Sequence, residues 1–109
     1  MPILGPSNAA SSLITATTTA TKLFSLMDTA GSVTDNAEVG AGANYVKIAN
    51  EDATNNIRVL FGKTPTTTDG FIVLKGTTEE FKDCDVANME IISTAATVNC
   101  SVLIGTNIR

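Results

Sequence analysis

The hydrophobic residues of this chain fall into short runs, and the two clearest runs flank a turn-rich loop. Residues 57–61 read IRVLF and residues 70–75 read GFIVLK. Runs of this length that are rich in β-branched and large apolar residues are typical of strands. Between them, Asp69-Gly70 provides a position that tolerates positive φ, and Pro65 keeps the loop out of a central ladder. The pattern predicts two strands joined by this loop, with further strands packed around them.

Five more segments predict strands, separated by polar turns. They are residues 13–19, 45–49, 77–82, 89–93 and 98–104. In the second of these, alternation places Val46 and Ile48 on the inward face. The glycine-containing segment 28–44 reads as a long loop, interrupted at most by a short strand near Val33. About eight short strands without a long helix predict an all-β fold, an antiparallel β-sandwich or jelly roll.

The segment from residue 12 to residue 27 fits two patterns. Its threonine tract favours a strand, whereas a helical stripe is formed by Leu13, Ala16, Ala20, Leu23 and Met27. We predict a strand over residues 13–19. A short helical turn follows over Lys22 to Met27, with Thr21 as its N-cap and the side chains of Leu23, Leu26 and Met27 inward.

The first eleven residues differ in composition from the rest of the chain. They are rich in Pro, Gly, Ser, Asn and Ala, and Pro2 and Pro6 disfavour a helix. We predict an extended N-terminal arm over residues 1–11 and a single β-sandwich domain over residues 12–109.

Composition narrows the class of function. The 109 residues suffice for one domain, and 43% hydrophobic against 17% charged residues indicates a folded protein. The net charge of −4 and the seven scattered Lys and Arg residues argue against nucleic-acid binding.

No apolar run approaches the ~20 residues needed to cross a bilayer. The N-terminus lacks the features of a signal peptide, so we expect synthesis and residence in the cytoplasm of the cell that makes the protein.

Several predicted strands are apolar on both faces, and this pattern bears on whether the protein binds a partner. Residues 59–61, 71–74 and 102–104 do not alternate as a sheet with one wet face should. Their second face must therefore be shielded, either by loops and the arm or by another subunit. On the second interpretation, the candidate partner interface comprises Pro2, Ile3, Leu4, Leu60, Ile72, Leu74 and Leu103.

The sequence contains few groups that could perform catalysis. It has no His, which removes the usual nucleophilic triads and most metal sites. The densest carboxylate group comprises Glu79, Glu80, Asp83 and Asp85, and we interpret it as a solvated acidic edge. Cys84 and Cys100 have no CxxC spacing; a disulfide between them stays open, and we favour two small buried side chains. We expect no enzyme activity, no cofactor and no metal.

The order of these elements resembles the small β-sandwich virion proteins of tailed bacteriophages. The motifs that carry the resemblance are TATTTATKLFSLM, IRVLFG, TTTDGFIVLKGTTEEF, DVANMEIIS and VNCSVLIGT, which together extend over most of residues 12–106. The resemblance implies a head decoration or cement protein on the capsid exterior, which binds the major capsid protein and stabilises the shell. It further implies a homo-oligomer, with a trimer favoured, and an N-terminal arm laid along a neighbour.

Two alternatives stay open beside this expectation. Tail, neck and baseplate components of virions use the same small sandwiches. A small carbohydrate-binding module would need exposed aromatic side chains, for which Tyr45 and Phe24 are the candidates in a chain without Trp.

Overall fold

A computed structural model describes residues 9–29 and 42–106 of the chain. The predicted arm up to residue 8 and the predicted short strand near Val33 lie outside the described residues. In chain order the elements are β1 (Ala9–Ala16), β2 (Thr21–Lys22), α1 (Leu23–Thr29), β3 (Ala43–Asn50), β4 (Ile57–Phe61), β5 (Phe71–Val73), β6 (Thr78–Lys82), a 3-10 helix (Val86–Asn88), β7 (Met89–Ser93) and β8 (Val98–Thr106).

The strands form two four-stranded sheets that pack face to face. Sheet A has the order β1-β8-β3-β6 and sheet B the order β2-β7-β4-β5. Every neighbouring pair in both sheets is antiparallel. The predicted all-β antiparallel sandwich is therefore confirmed.

The core lies between the two sheets and is built by alternation along each strand. Burial of one large apolar side chain stabilises a fold by about 1.5–3 kcal/mol relative to exposure. The main core residues, each at most 3% exposed, are Ile14, Val46, Ile48, Cys100, Val102 and Ile104 from sheet A and Ile57, Val59, Val73, Met89 and Ile91 from sheet B. The inward positions predicted for Val46 and Ile48 are thus confirmed.

The two runs on either side of the turn-rich loop pair with each other as predicted. Ile57 lies opposite Val73, and Val59 lies opposite Phe71. The chain enters β5 through Gly70, whose φ of +123° is a conformation that side chains other than glycine rarely adopt. Strand β5 ends at Val73, so the last two residues of the predicted strand lie beyond it.

The region before α1 differs from the prediction. Strand β1 begins at Ala9 and ends at Ala16, so the last three residues assigned to the arm belong to sheet A. Thr21 is not a helix N-cap: it lies in β2 opposite Ile91, and its hydroxyl donates to the Thr19 carbonyl. Pairing with a strand about seventy residues later decides this conformation, which local helix signals do not report.

The helix itself packs as predicted. It begins at Leu23, and the side chains of Leu23 and Met27 are fully buried in the core. Leu26 is partly buried and packs against the same cluster. The apolar face of α1 therefore belongs to the core and is not available to a partner.

Candidate interaction surface

The outward side chains of β1, β8, β3 and β6 form a surface that we call the outer face of sheet A. Strand register arranges these side chains in rows across the sheet. One row contains Leu13, Ser101, Ala49 and Thr78, and the next contains Ser11, Leu103, Lys47 and Glu80.

A groove of about 340 Å³ runs over this outer face. Its lining includes Ser11, Lys47, Ala49, Thr78, Ser101 and Leu103. The groove lies over Ser101 and Ala49, the small central residues of the first row, and beside the larger Leu103 and Lys47 of the second row. Leu13, opposite Ser101 in the register, is 58% exposed, the most of any large hydrophobic residue in the described ranges. The face therefore offers apolar surface and room for the side chains of a partner.

Glu80 and Lys82, at the β6 side of this face, form an ion pair, and Tyr45 is bonded to the same carboxylate. The Tyr45 hydroxyl donates to Glu80 Oε2 at 2.5 Å, and Lys82 Nζ lies 3.7 Å from Glu80 Oε1. The hydrogen bond from Tyr45, aided by Lys82 and Lys47, holds the pKa of Glu80 below its usual value. Burial, aided by Glu80, raises the pKa of Tyr45 to about 12. The cluster is thus satisfied internally.

Further polar groups of this face are bonded within the fold as well. The Ser101 hydroxyl donates to Glu51, and Thr15 Oγ1 donates to Asn99 Oδ1 at 3.0 Å. Because these groups keep their hydrogen bonds within the fold, a partner that covered this region would leave few polar groups without a hydrogen bond. This lowers the free-energy cost of desolvation.

The outer face of sheet B is partly covered by the loop that joins β4 to β5. Arg58 Nη1 donates to the Gly70 carbonyl at 2.9 Å, and Arg58 Nε donates to the Thr67 carbonyl at 3.2 Å. The Thr64 hydroxyl donates to Glu90 of β7 at 3.2 Å. Ile92, whose side chain has outward parity on this sheet, is only 6% exposed. The chain therefore shields this face itself, whereas the outer face of sheet A keeps an open groove.

The residues predicted as a partner interface do not form one surface. Leu60 and Ile72 have outward parity on sheet B and are half-buried. Leu103 lies on the outer face of sheet A, on the opposite side of the sandwich. Leu74 follows β5 and is 51% exposed. The remaining three, Pro2, Ile3 and Leu4, lie outside the described residues.

The acidic edge shows no arrangement suited to metal binding. Glu79 and Glu80 are consecutive in β6 and therefore point to opposite faces of sheet A. Asp85 Oδ2 accepts a hydrogen bond from Asn88 Nδ2 at 2.6 Å. Across residues 9–29 and 42–106, no group of three or more His, Cys, Asp or Glu side chains is placed to hold a metal ion.

Both cysteines are free thiols. Cys100 is buried in the core, where burial raises its pKa to about 12. Cys84 is half-buried, and burial raises its pKa as well. Because the thiolate is the reactive form, neither side chain is set up as a nucleophile at neutral pH.

The two aromatic residues considered for sugar binding are not arranged as a stacking platform. Tyr45 has outward parity on β3 but is only 6% exposed, and its hydroxyl is bonded to Glu80. Phe24 is half-buried and packs against the core. Neither ring is therefore exposed in the way that the carbohydrate-binding alternative requires.

Leu13 is the part of this surface that sequence reasoning missed. The signal was present in the alternation of β1, because Ile14 and Ala16 point inward and Leu13 must then point outward. The small residues that open the groove, Ala49 and Ser101, carry no signal of their own.

No protein-family model, curated protein or solved structure matches this chain significantly. Among the described residues, no helix has the length and apolar character needed to cross a membrane.

Proposed function

We propose that this chain is a structural virion protein of a tailed bacteriophage, a decoration protein that binds the shell of major capsid protein through the outer face of sheet A. The observation that carries the proposal is the open groove on this face, with exposed Leu13 beside it and half-buried Leu103 within it. The kind of partner comes from the resemblance of the chain to small β-sandwich virion proteins.

The chemistry of the face suits a protein partner. Exposed apolar side chains among uncharged polar ones are typical of the centre of an interface, where charged residues are depleted. Here Glu80 and Lys82 lie at one side, on β6, and are paired with each other, and Lys47 is the one charged residue among the described residues that line the groove. The net charge of −4 supports a position on the outside of the shell, away from packaged DNA.

The proposed mechanism is mechanical rather than chemical. A protein that binds the assembled shell but not its dissociated subunits stabilises the assembly by mass action. Surface buried across seams between capsid subunits must be re-exposed before the shell can rupture. A compact sandwich with a filled core transmits load without deforming, because close-packed interiors have low compressibility.

Binding to shells that lack this chain tests the proposal. Purified protein is mixed with shells assembled from the major capsid protein of the same virus, and the bound fraction is measured by co-sedimentation. We expect saturable binding that Leu103→Lys weakens at least tenfold, because the change removes an apolar contact and adds a second ammonium group beside that of Lys47. Leu74→Lys is the matched control, since Leu74 is an exposed leucine outside this face.

The possible outcomes test separately the identity of the partner and the face of the sandwich that binds it. Absence of binding by the unmodified chain would contradict the decoration role. Binding that is lost with Leu74→Lys and retained with Leu103→Lys would leave the role in place and overturn the choice of face. Binding to purified tails instead of shells would make the chain a tail component.

A further inference from the structure

Strand β1 forms an outer edge of sheet A and lacks the usual protection of an edge. Among the described strands, its one hydrogen-bonded neighbour is β8. Its eight residues, AASSLITA, contain no charged residue and no proline. Proteins normally protect such edges with charge, proline, a bulge or short length, because an unprotected edge pairs with another strand.

The other three edges of the sandwich are protected in these ways. Strand β6, at the far edge of sheet A, carries Glu79, Glu80 and Lys82 among its five residues. The edges of sheet B are β2, of two residues, and β5, of three residues. Among the described strands, β1 is therefore the one edge without such protection, which favours its pairing with another strand.

The sequence of β1 is complementary to itself about Leu13. Residues 10–16 read Ala-Ser-Ser-Leu-Ile-Thr-Ala. In an antiparallel pair centred on Leu13, Ser11 lies opposite the partner's Thr15 on the outer face, and Ser12 lies opposite the partner's Ile14 on the core face. Directly opposed residues share a face, so this register keeps core-facing side chains on the core side in both copies.

We propose that β1 pairs antiparallel with β1 of a second copy of this chain, with the two-fold axis at Leu13. The two four-stranded sheets A then become one continuous sheet, and Leu13 packs against the partner's Leu13. This removes from water the large hydrophobic side chain that is most exposed among the described residues, at 58%.

This inference does not rest on the virion role, because it is argued from the edge; it assigns Leu13 to the second copy and leaves Leu103 and the groove to a larger partner. A contact of a patch with the same patch closes at two copies. It therefore predicts a dimer, in contrast to the trimer that the resemblance implies. In the dimer the outer faces of the two sheets A become contiguous, so the two grooves lie on one surface.

Disulfide trapping tests the register. Leu13→Cys is introduced in a Cys84→Ser background, which leaves the buried Cys100 as the remaining native thiol. We expect mild oxidation to give a covalent dimer in high yield. Thr15→Cys in the same background is the control, because the two Thr15 positions would lie about 13 Å apart along the strands, beyond the reach of a disulfide. Equal crosslinking of the two variants, or none with Leu13→Cys, overturns the proposed register.

Light scattering tests the pairing without a new thiol. The unmodified chain should have twice the 11.3 kDa mass of one copy. Leu13→Lys places like charges directly opposite each other and should give a monomer with an unchanged circular dichroism spectrum, because the side chain points to solvent. Leu74→Lys should remain a dimer. A monomeric or trimeric unmodified chain, or a Leu13→Lys variant that stays dimeric, overturns the proposal.

Discussion

Phe71 and Phe81 lie on edge strands of different sheets and meet edge to face, with ring centroids 5.4 Å apart and planes at 87°. Phe61 contacts the same ring of Phe81 at 5.5 Å. Strand β5 is the edge of sheet B and β6 the edge of sheet A. The three rings therefore close the side of the sandwich where backbone hydrogen bonds do not join the sheets, and edge-to-face pairs of this kind contribute about 0.5–1.5 kcal/mol beyond area burial.

Substitution of these rings should destabilise the fold in proportion to their burial. Phe81→Ala removes both ring contacts and should lower the free energy of unfolding by about 2–3 kcal/mol. Phe71→Ala, at a side chain that is 51% exposed, should cost about 1 kcal/mol. Urea denaturation of both single variants and the double variant gives the coupling. Strict additivity would contradict a direct contact between the rings.

Asn50 connects the two sheets with a buried side chain that is fully hydrogen-bonded. Its Nδ2 donates to the carbonyls of Asn55 at 3.0 Å and Val73 at 3.2 Å, and its Oδ1 accepts from the Asp52 amide at 2.9 Å. Asn50→Ala leaves buried backbone groups without partners and should cost about 2–3 kcal/mol.

The matched control for this substitution is Asn99→Ala. Asn99 is exposed and bonded to Thr15, so its loss should change the free energy of unfolding by less than about 0.5 kcal/mol. Equal effects of the two substitutions, measured by chemical denaturation, would contradict the bridging role of Asn50.

Gly70 and Gly76 both have positive φ, but only Gly70 is enclosed. A Cβ at Gly70 would lie 3.1 Å from Pro65 Cβ and 3.2 Å from the Val59 carbonyl oxygen. A Cβ at Gly76 would meet no atom within 4 Å. Gly76→Ala should therefore cost about 1 kcal/mol from the backbone alone, and Gly70→Ala should cost about 2 kcal/mol or more. A Gly70→Ala variant as stable as Gly76→Ala would show that the loop does not pack on β4.

Tyr45 is the single tyrosine of the chain, so its titration can be followed by absorbance without interference. Its pKa is raised from 10.0 to about 12. A raised pKa means that the neutral phenol is favoured in the folded state. This contribution to stability is fully present below pH 10 and is lost as the pH rises from 10 through about 12.

The contribution of Glu80 to stability depends on pH in the opposite sense to that of Tyr45. Its pKa is lowered, so its contribution is present above the usual value of 4.5 and is lost as the pH falls through the lower folded-state pKa. Glu80→Gln should lower the titration midpoint of Tyr45 but keep it above 10, because burial is the first cause of the shift. A midpoint at 10 in the unmodified chain would contradict the burial of the Tyr45 ring and its hydrogen bond to Glu80.

Strands with strong local signals were predictable from the sequence, and those fixed by distant pairing were not. Strand β7 was predicted at its observed bounds, because MEIIS is bounded by polar turns on both sides. Strand β2 was predicted as the start of a helix, since Thr21 and Lys22 precede the apolar stripe of Leu23 and Met27. Its conformation comes from pairing with Ile91 and Glu90, which no local pattern records.

The candidate surface was predictable only in part. The runs that are apolar on both faces identified Leu60, Ile72 and Leu103 as outward side chains that must be shielded from water. All three are half-buried in the structure. Sequence alone does not reveal that Leu103 lies on the opposite sheet from the other two, because this depends on strand order. Nor does it reveal that the loop after β4 folds back over sheet B through Arg58.

A three-dimensional reconstruction of particles assembled in the presence of this chain tests the proposed decoration role most directly. If the proposal holds, we expect density for a small β-sandwich on the outside of the capsid shell, with the outer face of sheet A against the major capsid protein. Density for the sandwich in the tail, on the inner surface of the shell or with sheet A turned to solvent would contradict it, as would particles that lack the chain altogether.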